Sequence, residues 1–477
     1  MLFPSAAFLI FAALFFALWP IAKRRENVRY AYLVGASFLF YGWWDWRFLF
    51  LILASGVLDF LAGLGMRAHP RARKAYLALS LVGNVGSLAA FKYSGFLAAN
   101  LAALLEAVGL PGSLVPPVPR FLLILPVGIS FYTFQSMSYT IDIYRGRLEP
   151  TRNPLHFFAY LALFPQLVAG PIVRAADLLP QLRTNRRTSE ADRWLGLQRI
   201  VHGFFKKVVI ADGLAWYVAD AFGSLEPSAA PIYWWLITAA FAVQIYCDFS
   251  GYSDIARGLA KWMGYDFLEN FNHPYVSSSL REFWTRWHIS LSTWFRDYVY
   301  LPLGGSRSGP MRSAVNLWIT MLVSGLWHGA AWTFVAWGAC HAFFLSVERW
   351  TRWPERLKKI PGGRLAATGV VLVQVLVGWV FFRAETMAQA TSILRTMFSW
   401  AGGAGSLRAE LGGTNTLMIC GLLFVVAVRE AWVWADLDRR LTLGPLRTPL
   451  QAAALVLMIV ASVYLRGPGS AFIYFQF

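Results

Sequence analysis

The sequence contains few charged residues. Only 14% of its 477 residues are Asp, Glu, Lys or Arg, whereas 57% are hydrophobic. Soluble domains carry roughly 25% charged residues, so this chain lacks the polar surface that a water-soluble fold requires. The composition therefore excludes a soluble protein and predicts an all-α integral membrane protein that crosses the bilayer several times.

Cysteine is also scarce. Cys247, Cys340 and Cys420 are far apart in the sequence, and none belongs to a C-x-x-C pair. Disulfide frameworks and zinc sites need paired or closer spacing. We therefore expect three buried thiols without a chemical role, and no metal site.

The motifs of several common enzyme classes are missing. The chain has no Walker A loop, no G-x-S-x-G nucleophile elbow and no H-E-x-x-H sequence, which are the parts needed for ATP hydrolysis, serine hydrolysis and zinc chemistry. No histidine is followed five residues later by an aspartate, the pattern of soluble acyltransferases. We expect no bound cofactor.

The basic residues carry information on topology. A net charge of +18 suits a nucleic-acid-binding protein when it forms one basic face, but here Lys and Arg occur as short clusters between apolar runs. Such clusters mark cytoplasmic loops, and we expect no nucleic-acid partner. Clusters at 23–25, 67–74 and 145–152 follow alternate spans, which puts the N-terminus outside the cytoplasm.

Apolar stretches of about 17–25 residues are candidates for membrane spans. They lie near 3–21, 30–46, 48–66, 75–96, 121–143, 208–222, 232–249, 314–328, 331–348, 365–382, 414–430 and 450–466. The first has no basic segment before it and no small-residue cleavage site, so we expect a retained helix rather than a signal peptide. With no internal repeat or long polar linker, the chain is predicted to form a single membrane domain over 1–477, with a catalytic core at about 121–350.

The stretch 155–173 breaks the alternation of spans. It contains Pro165 and Pro171, and basic residues lie on both sides of it. We expect a re-entrant element that enters and leaves on one face and lines a cavity, because irregular backbone at membrane depth survives only against protein or water. The alternative is a kinked full span that violates the charge rule locally.

His328 is the strongest candidate for chemistry. It lies in Ser-Gly-Leu-Trp-His-Gly (324–329), near the apex of a predicted in–out–in hairpin at 314–348 that basic residues flank on both sides. This places it roughly 20 Å deep, where ionisable groups are functional by default. A neutral buried imidazole is competent as a general base. The structural alternative is a core histidine bonded to a backbone carbonyl.

A second histidine, His288, favours the chemical interpretation. It lies in the aromatic and basic segment 281–292 and is predicted at the cytoplasmic mouth. We expect one helix over 281–300 that carries Trp284, His288, Ser292 and Phe295 on one face, and a Glu282–Arg286 pair on another. The alternative is an interfacial amphipathic helix.

Asp248 is predicted to end the span at 232–249. It either orients a histidine or binds an acceptor hydroxyl, or it caps the following helix. For Asp59, which lies inside a span, packing against a neighbouring polar group is the expected role.

Several motifs together resemble the membrane-bound O-acyltransferases, especially the bacterial branch that acetylates polysaccharides. The matching stretches are Tyr-Gly-Trp-Trp-Asp-Trp (41–46), Phe-Lys-Tyr (91–93), Leu-Pro-Val-Gly-Ile-Ser-Phe-Tyr-Thr-Phe-Gln (125–135), Phe-Pro-Gln-Leu-Val-Ala-Gly-Pro-Ile (164–172), Asp-Phe-Ser-Gly-Tyr-Ser-Asp (248–254), Phe-Trp-Thr-Arg-Trp-His-Ile-Ser-Leu-Ser (283–292), Leu-Trp-His-Gly (326–329) and Phe-Ile-Tyr-Phe-Gln-Phe (472–477).

The resemblance implies a ring of tilted helices around a central tunnel, with His328 as the catalytic residue and His288 lining the donor path. It also implies acetyl-CoA as the cytosolic donor, an extracytoplasmic polysaccharide such as alginate as the acceptor, extracytoplasmic acetyl-relay proteins, and a bacterial inner membrane. The residues expected to bind substrate are Trp287, Ser292, Trp327, Asp248 and Arg296. Arg286 and Arg296 either attract the donor's phosphates or form a solvated face.

These observations predict a membrane O-acetyltransferase. Three alternatives stay open: D-alanyl transfer from a carrier protein to teichoic acid, a polysaccharide transporter in which the histidines relay protons, and a scaffold for export proteins.

Overall fold

The computed structural model describes residues 1–167, 170–224, 228–307, 309–399, 411–436 and 447–475. Across these ranges the secondary structure is helical, without a strand. The chain divides into two compact units, the first with residues 1–200 and 253–268 and the second with residues 201–252 and 269–477. The prediction of a single catalytic domain stays a prediction.

Apart from short 3₁₀ and π-helical turns and residues 253–263, which end a long helix described with the second unit, the first unit contains ten helices or parts of helices among its described residues. They are α1 (Ala6–Ala22), α2 (Glu26–Asp45), α3 (Leu49–Ala68), α4 (Arg73–Leu88), α5 (Ser94–Ala107), α6 (Ile129–Tyr144), α7 (Pro154–Leu161), α8 (Phe164–Leu167), α9 (Ala175–Arg183) and most of α10 (Glu190–Phe205). Buried Asp59 of α3 accepts hydrogen bonds from Ser80 and Asn84 of α4 and from Ser136 of α6. The expectation that Asp59 packs against polar neighbours is confirmed.

The second unit holds the rest of the described helices. A π-helical turn at Lys206–Ala211 leads from α10 to the following elements: α11 (Asp212–Gly223), α12 (Pro231–Met263), α13 (Leu280–Arg286), α14 (Ile289–Phe295), α15 (Pro310–His328), α16 (Trp332–Thr351), α17 (Trp353–Leu357), α18 (Gly363–Arg383), α19 (Met387–Met397), α20 (Gly413–Trp434) and α21 (Arg447–Tyr464).

The chain is an all-α polytopic membrane protein. Five helical stretches of the described residues are long and apolar enough to cross a bilayer: Glu26–Ala68, Pro70–Ala107, Pro231–Met263, Gly363–Arg383 and Gly413–Trp434. They contain six of the predicted spans. Ala6–Ala22 and Thr448–Tyr464 are shorter apolar helices at the positions of the first and last predicted spans.

Four predicted spans are not among these five stretches. Two of them coincide with helices of fewer than 18 residues, α6 and α11. The other two coincide with α15 and α16, which have 19 and 20 residues but a more polar composition. For α15 and α16, the evidence that they cross the bilayer is therefore the identity of the side chains that they bury.

Helix α15 buries its polar face. Ser313, Asn316, Thr320, Ser324 and His328 are buried along one side, at spacings of three and four residues. Its apolar residues are exposed instead, at Met311, Val315, Ile319 and Val323. This inside-out arrangement is what a helix in a bilayer adopts, because lipid cannot satisfy polar groups.

Two predictions about the second unit are wrong. Helix α12 does not end at Asp248 but continues to Met263, because Asp248 pairs with Lys207 and the buried charge needs no exit to water. Cys247 is buried and Cys340 half-buried, but Cys420 is exposed, since it lies on an outward face of α20.

The segment 155–173 forms two short helices, α7 and α8, with eight and four residues. Eight helical residues rise only about 12 Å, less than half the thickness of the hydrocarbon core. Phe157, Tyr160 and Phe164 are fully buried. This geometry fits the re-entrant prediction rather than a full span, and the cavity stays a prediction.

Glycines bring α15 and α16 together. A Cβ atom on Gly325 would lie 2.3 Å from the carbonyl oxygen of Phe334, and one on Gly338 would lie 2.4 Å from that of Met321. These distances are shorter than real Cβ contacts, so the backbones of the hairpin meet only because both residues lack a side chain. The close packing fixes the end of α15, where His328 lies.

We expect Gly338→Ala to destabilise the hairpin by about 1–3 kcal/mol, because the new methyl group forces two backbones apart. The measurement is the thermal unfolding midpoint of the purified protein in detergent. Gly369→Ala is the matched control, since its Cβ would meet nothing within 4 Å in α18. An unchanged midpoint for Gly338→Ala would contradict the proposed close contact.

Candidate active site

His328 is enclosed by aromatic rings. It is the last residue of α15, and its side chain is buried. The ring centroids of Trp327 and Trp337 each lie 4.9 Å from the imidazole centroid, that of Phe382 lies 5.2 Å away and that of Tyr474 lies 5.7 Å away. These walls come from α15, α16, α18 and the segment after α21, so four parts of the chain meet at this residue.

His288 lies at a break between two helices. Helix α13 ends at Arg286 and α14 begins at Ile289, and His288 has a left-handed backbone with φ 42° and ψ 55°. The prediction of one continuous helix with a shared face is therefore wrong. A non-glycine residue in this region costs on the order of 1–3 kcal/mol, so the surrounding structure must hold the break.

The segment 270–272 provides the bonds that hold this break. The Ile289 N–H donates to the Asn270 carbonyl at 2.9 Å, and the Asn272 N–H donates to the Arg286 carbonyl at 2.9 Å. The Asn270 side-chain oxygen also accepts from the Ser290 N–H, at 3.2 Å, and from the Ser290 hydroxyl, at 2.9 Å. Asn270 therefore replaces the hydrogen bonds that a continuous helix would have made.

Asn270 also fixes the tautomer of His288. The imidazole Nδ1 lies 3.1 Å from the same Asn270 Oδ1. This atom must be the amide oxygen, because a backbone N–H donates to it, and an oxygen can only accept. Nδ1 consequently carries the proton, and Nε2 carries the lone pair. The ring is buried, and burial disfavours the charged imidazolium, so the neutral form is favoured.

Two aromatic residues contact both histidines. Trp327 lies 4.9 Å from His328 and 6.2 Å from His288, measured between ring centroids. Tyr474 lies 5.7 Å and 6.4 Å from the same two rings. The structure thus places His288 and His328 on one shared aromatic lining, although forty positions separate them in the sequence.

The other predicted site residues lie at different distances from this lining. Trp287 is buried in a neighbouring aromatic cluster, 5.0 Å from Trp379. The Ser292 hydroxyl donates to the Trp287 carbonyl at 3.0 Å, which stabilises the start of α14. This bond joins the residue directly before His288 to the first turn of α14, so it spans the break.

Asp248 has structural partners. Its carboxylate lies 2.8 Å from Lys207 Nζ and accepts the Ile473 N–H at 2.7 Å. Because it lies in the middle of α12, the alternative that it caps a helix is wrong. Its connection to the histidines is indirect. The Asp248 carboxylate binds the Ile473 N–H, and the next residue, Tyr474, contacts both imidazole rings.

The predicted arginines both have acidic neighbours. The expected Glu282–Arg286 pair is confirmed at 3.0 Å. Arg296 pairs with Asp297 at 2.7 Å and keeps a largely exposed side chain. The role of either arginine toward a phosphorylated donor stays a prediction.

Sequence reasoning assigned no role to three residues of this region. Tyr474 lies in a motif that supported the family resemblance, and that was the signal available for it. Lys207 lies in the apolar run around 204–211, where a buried charge implies a nearby counter-charge. His341 is buried beside Trp337, with ring centroids 4.8 Å apart, and only its position inside a predicted span marked it.

Comparison with known proteins defines the class. The family model of the membrane-bound O-acyltransferases matches residues 147–384. A probable alginate O-acetylase of Pseudomonas putida is 38% identical over the full length of both chains, and one of Azotobacter vinelandii is 42% identical over 84% of this chain and 78% of its own. A peptidoglycan O-acetyltransferase of Helicobacter pylori is 33% identical over 77% and 73%.

The chain belongs to the membrane-bound O-acyltransferase family. It is therefore an enzyme that transfers acyl groups to hydroxyl oxygens, and the resemblance drawn from its motifs is confirmed. The matched region contains His288, His328 and the hairpin that carries the second of them.

We expect Asn270→Ala to lower acyl transfer about 10- to 100-fold, because His288 loses the acceptor that fixes its tautomer. The same change is expected to cost about 1–3 kcal/mol of stability, since Ser290 loses its acceptor too. Transfer rate and thermal midpoint are measured together. Asn272→Ala is the control. The Asn272 side chain is exposed, and the residue supports the break through its backbone N–H, which the substitution keeps. Equal behaviour of the two variants would rule out the role given to the Asn270 side chain.

Proposed function

We propose that the chain is a membrane O-acetyltransferase that moves an acetyl group from a cytosolic thioester, acetyl-CoA, to an extracytoplasmic polysaccharide such as alginate. The observation that carries this proposal is the shared aromatic lining of His288 and His328. The similarity to probable alginate O-acetylases of Pseudomonas and Azotobacter and to a peptidoglycan O-acetyltransferase of Helicobacter supports the acceptor class.

In the proposed reaction, His328 acts as the general base. Its neutral imidazole removes the proton from an acceptor hydroxyl while that oxygen attacks the thioester carbonyl carbon. The new C–O bond forms, the C–S bond breaks, and the thiolate of the donor leaves with the proton that His328 then returns. Removing the proton during attack avoids the formation of a free alkoxide.

His288 has a different role in this proposal. Because its Nδ1 proton is engaged by Asn270, the ring can offer only the Nε2 lone pair to a substrate, so it accepts a hydrogen bond rather than donating one. We assign it to positioning the donor or to accepting a proton, and not to polarising the thioester carbonyl, which would need a donor.

The aromatic walls around His328 exclude water. Trp327, Trp337 and Phe382 present apolar ring surface to the imidazole. An acyl thioester in such an enclosure is protected from hydrolysis, and electrostatic interactions with the reacting oxygen are stronger than in water. This protection matters for an enzyme whose competing reaction is loss of the acetyl group to solvent.

The charge pattern supports a proposed direction of transfer. Basic residues precede and follow the hairpin, at Arg307 and Arg312 and again within 349–364, which supports a cytoplasmic position for both of its ends. We propose that the donor enters from that side and that acetyl-relay proteins outside the cytoplasm complete the transfer. The proposed location is the bacterial inner membrane, with the N-terminus on the outer side.

We expect His328→Ala to reduce acetyl transfer by about 100- to 10,000-fold, the contribution typical of a positioned general base. Labelled acetyl-CoA is supplied on one side of proteoliposomes, the relay proteins and the polysaccharide on the other, and label on the polysaccharide is measured. His69→Ala, which changes an exposed histidine of the first unit, is the control for expression and insertion.

Other outcomes of the same assay would overturn the proposal. Full transfer by His328→Ala would remove the residue from the mechanism. Movement of polysaccharide without any label on it would identify a transporter, and transfer only from a D-alanyl carrier protein would identify the teichoic acid branch. Unchanged acetylation after replacement of both histidines would indicate that the chain is a scaffold for export proteins.

A further inference from the structure

The second unit contains a buried cluster of charges. Lys207 Nζ is 2.8 Å from a carboxylate oxygen of Asp212 and 2.8 Å from one of Asp248. The three side chains are 1%, 5% and 3% exposed. Nothing in the chemistry proposed for the histidines uses these groups.

The third partner of Lys207 comes from far along the chain. Its Nζ donates to the Ser470 carbonyl at 3.0 Å and approaches the Ser470 hydroxyl at 3.3 Å. A lysine ammonium has three N–H donors, and Asp212, Asp248 and Ser470 provide one acceptor group for each. The cluster therefore joins the turn after α10, helices α11 and α12, and the segment after α21.

Both carboxylates also bind that segment directly. Asp212 accepts the Ser470 N–H at 3.2 Å and the Ser470 hydroxyl at 2.6 Å. Asp248 accepts the Ile473 N–H at 2.7 Å. The two carboxylates thus fix two backbone amides three residues apart, the second of them directly before Tyr474.

Residues 467–475 need such outside contacts. Apart from a single 3₁₀ turn at Ile473–Phe475, the segment has no regular structure of its own to fix its path. Its start is fixed by the Gly467 N–H, which donates to the Val208 carbonyl at 2.8 Å. A Cβ atom on Gly467 would lie 2.3 Å from the Asp212 carbonyl carbon, so the segment packs directly on the backbone that carries the cluster.

Energetics favour a positional role for this cluster. Desolvation makes buried ion pairs poor contributors to stability, and their best-attested use is to specify one arrangement of the chain. Here the arrangement specified is the path of residues 467–475. Tyr474, at the end of that path, contacts the rings of both His288 and His328.

We propose that Lys207, together with Asp212 and Asp248, is a positioning residue that sets the register of residues 467–475 and thereby holds Tyr474 against the two histidines. The proposal rests on the proposed function in one respect, namely that His288 and His328 take part in acyl transfer. It assigns Lys207 no contact with the substrate.

The structural arm of the test uses hydrogen–deuterium exchange of the full-length protein in detergent. In Lys207→Met, the amides of Ser470 and Ile473 are expected to exchange about 10-fold faster or more, because their acceptors lose the cation that orients them. Lys261→Met is the matched control, since Lys261 also pairs with two aspartates, Asp192 and Asp266, in the first unit. Unchanged protection in Lys207→Met would overturn the proposal.

The kinetic arm asks whether Lys207 acts through Tyr474. We expect Lys207→Met to lower kcat about 100-fold, the effect of a misplaced active-site group, with little change in the KM for acetyl-CoA. In a Tyr474→Ala background the same change should have almost no further effect, because interacting residues are not additive. Full additivity of the two changes, or a rise in KM alone, would overturn the assignment.

A milder variant covers the case in which Lys207→Met does not fold, since removing the cation leaves two buried carboxylates facing each other. Ser470→Ala keeps all three charges and removes one hydroxyl. It is expected to lower kcat about 10-fold, again with no further effect in the Tyr474→Ala background. A fully active His328→Ala variant would contradict the proposed function. The exchange measurement does not depend on activity, so it would still test whether Lys207 sets the register of residues 467–475.

Discussion

Polar side chains buried in this chain must find partners within the protein, because neither hydrocarbon nor a packed interior offers water to bond them. This requirement explains the main features of the second unit. Helix α15 turns its polar side inward and ends at His328. Lys207 is buried between two carboxylates. Asn270 takes over the hydrogen bonds that the helix break at His288 leaves open. The reactive and the structural polar groups are arranged by the same constraint.

The sequence predicted the parts of the structure that depend on composition and spacing. The scarcity of charge predicted the membrane, the long apolar runs predicted six of the spans, and two prolines with basic flanks predicted the short buried elements at 155–173. Trp-His-Gly singled out His328, and its motif context indicated the family. Each of these signals is local, so no knowledge of tertiary structure was required.

What the sequence did not predict depends on contacts between distant residues. The spacing of Trp284, His288 and Ser292 suits one helix, and only the pairing with 270–272 ends it at His288. Asp248 resembles a helix cap until Lys207, 41 positions earlier, is placed against it. Tyr474 joins the site because residues 467–475 fold back onto α11 and α12. In each case a buried partner overrides the local pattern.

The central claim is that His328 and the acyl donor meet inside the aromatic lining shared with His288. The most direct measurement is an experimental map of the full-length protein with a non-hydrolysable acetyl-CoA analogue bound. The account predicts the analogue's carbonyl carbon beside the His328 ring, with Trp327 and Tyr474 against the acyl group and the nucleotide toward the cytoplasmic side. An analogue bound away from this lining, or a His328 side chain facing lipid, would contradict it.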